Sequence, residues 1–248
     1  MNREYYREYY SLERNHWWFK IREKIIFQRI LSYSNGLRTL KILNIGAATG
    51  RSSKMLKFFG DVTSLEYDKE CCSFVREKLN MEIIHGSVTN LPFDPDSFDL
   101  VCAFDVIEHV KNENLAISEM KRVCSKNGIL CVTVPAYMSL WSEHDIVNKH
   151  YRRYTASTLS NLFKVNNLNE LYLSYFNFFL FIPILLFRKL TKILPTSWIR
   201  KGSGSDFEIK NQSRLVNFVL AKIFGLEIIL LRFLKFPFGV SIISLWKK

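Results

Sequence analysis

Strand and helix signals alternate along residues 39–136, and this alternation constrains the fold more than any other feature. Five short apolar runs each predict a strand, and most of them are separated by stretches with helical periodicity. Such alternation is typical of a parallel sheet with right-handed crossovers. Because the strand centres are continuously apolar, we expect helices to cover both faces of the sheet. The chain is therefore predicted to be an α/β protein.

One helix is predicted over residues 112–128, with Leu115, Met120 and Val123 facing inward and Gly128 closing it. After residue 136 the pattern loosens. Residues 168–177 predict a sixth strand and residues 239–246 a last one. We divide the chain into an N-terminal helical lid (1–36), a core (37–177), an apolar and basic helical insertion (178–237) and a final core strand (238–248).

Composition favours one folded unit in a reducing compartment. The chain has 248 residues, 48% of them apolar, which is enough for one sizeable core. Its five cysteines form no CxxC pair, so we expect buried free thiols. The first 18 residues lack the apolar region of a signal peptide. We expect a cytoplasmic protein, with no predicted metal ligands.

Positive charge is concentrated near the C-terminus. Residues 188–248 contribute +9 of the formal net charge of +12, which indicates an anionic partner, either lipid or nucleic acid. Two very apolar segments, 178–190 and 213–234, lie in or beside this region, separated by a charged Gly/Ser loop at 201–212. Apolar helices beside basic charge favour an anionic membrane surface. The alternative is a helix pair packed on the domain or on a second subunit.

Neither apolar segment is expected to span a membrane. The apolar stretch around the first, residues 175–187, is about thirteen residues long and is interrupted by Asn177 and Pro183. The second carries Lys222, Glu227 and Arg232 at different helical angles. We therefore expect helices that lie in the interface.

Small and acidic residues follow successive predicted strands, where open α/β sheets bind their ligands. Gly46 to Gly50 follow the first strand, and small residues there let the backbone approach a ligand. Glu66 ends the second strand, twenty residues after Gly46, where a carboxylate can accept both ribose hydroxyls. Gly86-Ser87-Val88 ends the third strand and Asp105 the fourth. The set indicates a dinucleotide or an adenosine.

The stretches LNIGAATG, LEYD, GSVTNLPFDPDSFDLVCAFDVIEHV and MKRVCSKNGILCVTVPA together resemble class I S-adenosylmethionine (SAM) methyltransferases, in the branch that includes ubiquinone-type and other small-molecule enzymes. HWWFKIREKII, WSEHDIVNKHYRRYT and FPFGVSIISL resemble an uncharacterised subfamily of these enzymes, often accompanied by glycan or lipid assembly genes. The resemblance implies a Rossmann-like sheet of seven strands, mostly parallel, with an antiparallel last strand and an apolar helical insertion before it.

The resemblance also implies roles for single residues. Gly46, Ala48 and Gly50 would cradle the amino-acid part of SAM, and Glu66 would bind the ribose. Ser87 and Val88 would flank the adenine, Asp105 would face the methionine and the methyl, and Arg22 would lie near the SAM carboxylate. The cofactor-binding set expected on this basis is Arg22, Asn44, Gly46, Ala47, Ala48, Gly50, Glu66, Tyr67, Ser87, Val88 and Asp105.

Three residues depart from the family pattern. Ala48 replaces a glycine, and its methyl is tolerable where φ is negative. Asn44 replaces an acid, yet can still hydrogen-bond loop N–H groups. Ser87 replaces the acid that often binds the adenine amine. Each loss is expected to cost about 1 kcal/mol.

Methyl transfer to a hydroxyl needs a base, and the candidates lie in and near residues 141–155. We take His144, His150 and Asp105 as catalytic candidates, with Asp145 and His109 as further possibilities. Alternatively, these polar residues only cap helices or pair with Glu108.

Five further side chains have two possible roles each. Arg152 and Arg153 either clamp a phosphate or carboxylate or are solvated. Trp17, Trp18 and Phe19 either line the acceptor pocket or pack their helix on the sheet.

The sequence thus predicts a SAM-dependent methyltransferase acting on a hydroxyl or carboxyl of a small-molecule, lipid or lipid-linked glycan acceptor. One alternative is a non-catalytic SAM-binding component of a membrane-associated assembly complex, which the substitutions at positions 44 and 87 would allow. A nucleic-acid methyltransferase is a third, although basic and aromatic residues are not interleaved on a strand platform. The motif FDVI at the fourth strand end also argues against methylation of amines on DNA bases.

Overall fold

The computed structural model describes residues 3–34, 39–193 and 214–248. The predicted Gly/Ser loop at 201–212 lies outside these residues. The strands are β1 (Leu40–Ile45), β2 (Gly60–Glu66), β3 (Ile84–His85), β4 (Phe98–Phe104), β5 (Cys124–Pro135), β6 (Asn169–Phe176) and β7 (Ser241–Lys247). The α-helices are α1 (Arg3–Asn15), α2 (Trp17–Tyr33), α3 (Arg51–Leu56), α4 (Lys69–Leu79), α5 (Glu113–Val123), α6 (Glu143–Val147), α7 (Ala156–Val165), α8 (Phe181–Ile193) and α9 (Arg214–Leu230).

The strands form one seven-stranded sheet in the order β3-β2-β1-β4-β5-β7-β6. Neighbours among β1 to β5 are parallel, whereas β7 runs antiparallel to both β5 and β6. The predicted fold class is confirmed. The last strand of the chain therefore lies inside the sheet and not at its edge.

The continuously apolar strands are buried, as their composition predicts. Ile42, Leu43, Val101 and Val132 are fully or almost fully shielded from solvent, which is the pattern of a sheet covered by helices. All five cysteines are free and buried, as predicted.

The helix predicted over 112–128 is shorter and turned differently. It ends at Val123, and β5 begins at the next residue. Leu115 is exposed, and Ala116 and Ile117 face the core in its place. The inward assignment of Leu115 was wrong because Leu115 lies five residues before Met120, whereas Ala116 and Ile117 lie four and three residues before it and so share its face of the helix.

The described part of the insertion contains α8 and α9, and α9 packs against α2. Glu227 is completely buried on α9, and its carboxylate accepts the backbone N–H groups of Asn177, Phe178 and Phe179 at 2.7–3.1 Å. This contact ties α9 to the chain where it leaves β6. Among the described residues, no helix is both long and apolar enough to cross a membrane.

Candidate functional site

The loop from Gly46 to Gly50 connects β1 to α3 at the carboxyl edge of the sheet. Gly46 has φ +67°, and a Cβ there would lie 2.5 Å from Cγ2 of Val106. Gly50 has φ +80°, and its Cβ would lie 2.7 Å from the side chain of Met81. Both positions therefore require glycine.

Ala48 also has a positive φ, of 45°. The condition under which its extra methyl is tolerable, a negative φ, is therefore not met. A left-handed backbone at an alanine costs about 1–2 kcal/mol relative to the right-handed region. The loop keeps the glycine-type conformation although its middle residue has a side chain.

Glu66, at the end of β2, supports this loop directly. Its Oε2 accepts the N–H of Ala48 at 3.0 Å, and its Oε1 accepts the N–H of Asp68 at 2.9 Å. Each carboxylate oxygen keeps a second lone pair for another donor.

Asn44 lies fully buried behind the loop. Its amide donates to the hydroxyls of Ser52 and Ser53, both at 2.8 Å, while its Oδ1 has no partner among the described residues. It therefore holds the start of α3 by donating to side chains, whereas the sequence predicted that it would bond loop N–H groups.

Four further cofactor candidates precede or follow Glu66 in the sequence. Ala47 is buried, and its N–H donates to the carbonyl of Leu65 at 3.1 Å. Tyr67 is 74% exposed. Val88 is buried beside Ser87, whose hydroxyl lies 2.8 Å from the hydroxyl of Thr89.

Arg22 and Asp105 form an ion pair above the carboxyl end of β4. Arg22 Nη2 lies 2.7 Å from Asp105 Oδ2 and donates to the Thr133 hydroxyl at 2.8 Å. The Thr133 hydroxyl in turn donates to Asp105 Oδ1 at 3.0 Å. Asp105 itself has φ +57°, so the chain turns sharply there. The structure brings these two predicted residues together.

Helix α1 lies against the loop and α4. The Thr49 hydroxyl donates to the buried carboxyl of Glu13, and Arg14 donates to the Thr49 carbonyl at 3.3 Å. Burial raises the pKa of Glu13 to about 7, although Thr49 and nearby arginines oppose the shift. The Tyr6 ring packs against Phe74 of α4, with centroids 6.1 Å apart.

The region of His144 and His150 is organised by one buried acid, Asp145. Its Oδ1 accepts from Nδ1 of His150 at 2.8 Å, and Arg153 donates to both of its oxygens at 2.8 and 3.0 Å. Despite burial, these hydrogen bonds hold the pKa of Asp145 well below its usual range. Asp145 Oδ2 also accepts the N–H of Ser142 at the start of α6.

The other histidine of this region, His144, is bonded within its own helix. Its ring lies 3.3 Å from the amide nitrogen of Asn148 and 6.1 Å, centroid to centroid, from the ring of His150. Of the two, His150 is the imidazole that a buried carboxylate orients.

Glu108 lies in the turn of residues 107–109 after β4 and is completely buried. Neither of its carboxyl oxygens has a partner among the described residues. Burial, and next the nearby Asp105, raise its pKa well above the usual range. The expected pairing with polar residues of the region is therefore not seen at its carboxyl group.

Several of the arginines and aromatic residues with two possible roles make ion pairs or packing contacts within the protein. Arg153 is buried in its pair with Asp145, so it is neither solvated nor free to clamp a phosphate. Arg152 pairs with Glu113 at 2.8 Å. Trp17 is buried edge-on against Phe224 of α9. Trp18 lies 5.0 Å from the Arg22 guanidinium.

Sequence reasoning missed Glu13 and Thr133. Thr133 had a signal, because it is a lone hydroxyl residue inside the apolar run ILCVTVPA. Glu13 had none, because its contacts with Thr49 and Arg51 depend on how α1 packs on the loop.

Comparison with known proteins decides what this site belongs to. Residues 43–132 match the family described as "Methyltransferase domain". A Mycolicibacterium smegmatis protein named "Probable S-adenosylmethionine-dependent methyltransferase" is 28% identical over 127 residues, covering 50% of this chain and 48% of its own. The chain carries a class I SAM-dependent methyltransferase domain.

A demethylmenaquinone methyltransferase of Staphylococcus aureus is 25% identical to this chain over 133 residues, covering 48% of this chain and 55% of its own length. The chain thus spans about half the length of the curated relatives that it matches. A Thermotoga maritima SAM-dependent methyltransferase structure, described as a possible histamine N-methyltransferase, aligns over 99% of the chain and 95% of its own with a TM-score of 0.59. At 15% identity this likeness shows the fold alone.

The cofactor of the methyltransferase domain is SAM, and the residues present fit it. The two glycines let the loop take the positive φ angles that bring its backbone to the carboxyl edge of the sheet. Arg22 Nε is buried without a partner among the described residues, so it can donate to a carboxylate. Glu66 can accept from ribose hydroxyls while it holds the loop.

Proposed function

We propose that the protein transfers a methyl group from SAM to an oxygen of a hydroxyl or carboxyl acceptor. One observation carries the proposal: the residues suited to bind SAM and the residues suited to act on an acceptor adjoin at the same edge of the sheet. Glu66, the glycine loop and Arg22 with Asp105 form the cofactor side. The acceptor side starts at Glu108, three residues after Asp105. Glu108 lies close to His150, whose ring is oriented by Asp145.

On the cofactor side, each residue has a physical task. Glu66 accepts the ribose hydroxyls and at the same time fixes the N–H of Ala48. Arg22 donates to the carboxylate of the amino-acid part, and its ion pair with Asp105 holds the guanidinium in place. Ser87 and Val88 flank the adenine. SAM supplies a methyl group on a positively charged sulfur, which is an activated leaving group.

On the acceptor side, residues of the chain orient the oxygen and receive its proton. Asp145 fixes His150 with Nδ1 as donor, which leaves Nε2 free to face the acceptor. Helix α1 lies over the loop, where Glu13 of the helix contacts Thr49 of the loop. The helix thereby excludes water from the cofactor and acts as a lid. Alignment of acceptor and methyl supplies most of the remaining acceleration.

The acceptor is proposed to be a lipid or lipid-linked molecule at an anionic membrane surface on the cytoplasmic side. Large apolar side chains are exposed along α8, along α9 and in the turn that follows, with Phe187 at 52%, Phe218 at 59% and Phe233 at 80% exposure. Glu227 of α9 is buried and adds no negative charge to this surface, whereas the basic residues Lys222 and Lys235 are exposed on it. Apolar side chains beside basic ones match lipid tails beside anionic headgroups.

A binding experiment tests the cofactor side. Glu66→Ala is expected to weaken SAM binding at least tenfold in calorimetry, because the ribose acceptor and the support of Ala48 are both lost. Glu70→Ala, which removes an exposed acid on the same side of the sheet, is the matched control. Equal affinity in Glu66→Ala and the unmodified protein would overturn the ribose assignment.

A transfer experiment tests the reaction. The protein is incubated with SAM labelled in its methyl group and with membrane fractions, and label is expected in the lipid extract. SAM binding without label in any fraction would favour the non-catalytic alternative. Label in RNA or DNA would favour the nucleic-acid alternative.

A vesicle experiment tests the membrane surface. The protein is expected to sediment with phosphatidylglycerol vesicles and to be released by salt, because basic charge contributes to binding. Phe233→Ser with Leu234→Ser should reduce the bound fraction severalfold. Val165→Ser, at a side chain 71% exposed on α7, should not. Equal binding by all three proteins would overturn the membrane proposal.

A further inference from the structure

Glu108, His109 and His150 converge although they come from two separate parts of the chain. One carboxylate oxygen and one nitrogen of each ring all lie within 4.8 Å of one another. The rings of His109 and His150 are perpendicular, with centroids 4.5 Å apart. Ligands around a tetrahedral zinc ion at about 2.1 Å lie about 3.4 Å apart, so small side-chain rotations bring the three atoms to that spacing.

His150 is oriented by a second partner, as metal-bound histidines usually are. Its Nδ1 donates to Asp145, and Arg153 in turn holds Asp145. The ring of His109 packs edge-on against the ring of His150. The fold therefore sets the direction in which His150 can offer its other nitrogen to a ligand.

The unsatisfied carboxyl group of Glu108 is a second, independent indication that an ion binds at this cluster. It is 0% exposed, and both oxygens lack a partner among the described residues. Buried polar atoms in folded proteins are almost always satisfied, and an unsatisfied one calls for a missing water or ion. A water would satisfy one oxygen, but a cation bound by two imidazoles beside it explains why a carboxylate is buried at this place.

We propose that Glu108, His109 and His150 bind one divalent transition-metal ion of the zinc type. Two imidazole nitrogens and one carboxylate oxygen suit Zn²⁺, Co²⁺ or Mn²⁺ better than Mg²⁺, which prefers oxygen ligands. Three protein ligands leave a coordination position open, as in catalytic metal sites. His109 is exposed, so the cluster can be reached from solvent.

The ion also gives the acceptor side a defined function, and this part rests on the proposed function. An acceptor hydroxyl or carboxyl oxygen fits the open position, because Glu108 and His109 follow Asp105 of the proposed cofactor side by three and four residues. Coordination lowers the pKa of a bound hydroxyl. In this arrangement His150 is a metal ligand and no longer the base, so the proton of a hydroxyl acceptor passes to solvent as the oxygen takes the methyl group, and Asp145 keeps His150 in the metal-binding tautomer.

Metal titration of the full chain tests the site without any assay of methyl transfer. After chelator treatment and dialysis, the protein is titrated with Co²⁺ and, separately, with Zn²⁺ in calorimetry. We expect one ion per chain, visible absorption bands typical of Co²⁺ with nitrogen ligands, and displacement of Co²⁺ by Zn²⁺. Mg²⁺ alone is expected to bind far more weakly.

Variants assign the ion to these residues. Glu108→Gln keeps the shape of the buried side chain, and it should weaken Zn²⁺ binding at least tenfold, as should His150→Asn. His144→Asn, in the same region but outside the cluster, should bind Zn²⁺ as the unmodified protein does. Thermal unfolding of each variant checks that it is folded.

Two results would overturn the site. One is an unmodified protein that binds no Zn²⁺ or Co²⁺, and the other is a loss in His144→Asn equal to that in His150→Asn. SAM affinity is measured on the same samples. Normal SAM binding without metal binding would remove the metal site alone, whereas failure to bind SAM would remove the proposed function and leave the metal result standing.

Discussion

At the scale of single residues, Ala48 is a position where backbone and side chain disagree. Its φ of 45° lies in the region that glycine adopts freely and alanine avoids. The conformation persists because Glu66 bonds the N–H of Ala48 from below, between the two glycines of the loop. The strain is thus held by a residue that is also proposed to bind the cofactor.

Replacing Ala48 by glycine should relieve this strain. We expect Ala48→Gly to raise the free energy of unfolding by about 1 kcal/mol, measured by urea denaturation. The neighbouring Ala47 is the matched control, because it is buried and is not among the residues with positive φ. Ala47→Gly should destabilise by about 1 kcal/mol through lost burial and added chain entropy. Lower stability in Ala48→Gly would contradict this account.

Glu13 is a second residue whose environment determines its chemistry. Burial raises its folded-state pKa to about 7, whereas the unfolded carboxyl has an ordinary pKa near 4.5. The folded protein therefore binds a proton more tightly than the unfolded chain. The stabilising contribution of this proton is complete below about pH 4.5 and is lost as the pH rises through about 7.

The contribution of Glu13 can be isolated by removing its charge. Between pH 4.5 and 7.5 the free energy of unfolding should fall less in Glu13→Gln than in the unmodified protein, by about 1–3 kcal/mol over the window. Denaturation at several pH values measures both curves. Parallel curves over this range would mean that Glu13 titrates normally in the folded protein.

At the scale of elements, the insertion depends on a polar contact inside an apolar helix. Glu227 was notable in the sequence only as a charge that disfavours a membrane span. In the structure its carboxylate accepts three backbone N–H groups from Asn177 to Phe179. The contact fixes α9 relative to the end of β6, so the insertion is anchored to the sheet at this point.

Glu227→Gln should loosen this anchor. Glutamine keeps one acceptor oxygen and places an NH₂ group against a backbone donor, which should cost about 1–3 kcal/mol of unfolding free energy. Glu170→Gln on β6 is the control, because among the described residues its carboxylate accepts one hydrogen bond, from Ser160, and lies 4.0 Å from Lys235. That change should cost less than about 1 kcal/mol. Hydrogen exchange at residues 177–179 would locate the effect.

How far the sequence predicts these elements follows from the range of the interactions that form them. Alternating apolar runs are local, so the parallel part of the sheet was predictable from the residues, whereas the antiparallel last strand followed only from the family resemblance. Leu115 was misassigned because two neighbouring faces of α5 carry apolar residues. The contact of Glu13 with Thr49 joins residues far apart in sequence, and no local pattern encodes it.

At the scale of the whole molecule, the last residues of the chain complete the sheet. Strand β7 lies between β5 and β6 and pairs with both, so β6 is joined to the sheet only through it. Trp246 on β7 is completely buried and stacks on Phe163 of α7, with ring centroids 4.7 Å apart. The core is therefore incomplete until the C-terminal strand has paired.

Graded changes at the C-terminus test this dependence. Trp246→Ala should lower the free energy of unfolding by about 3–5 kcal/mol, because it leaves a large cavity next to Phe163. Trp246→Phe keeps an aromatic ring there and should cost clearly less. A chain that ends at residue 237 lacks β7, so the facing edges of β5 and β6 lose their hydrogen-bond partners. It should show no cooperative thermal transition in circular dichroism. A sharp transition near that of the full chain would mean that β1 to β5 fold independently of the C-terminal strand.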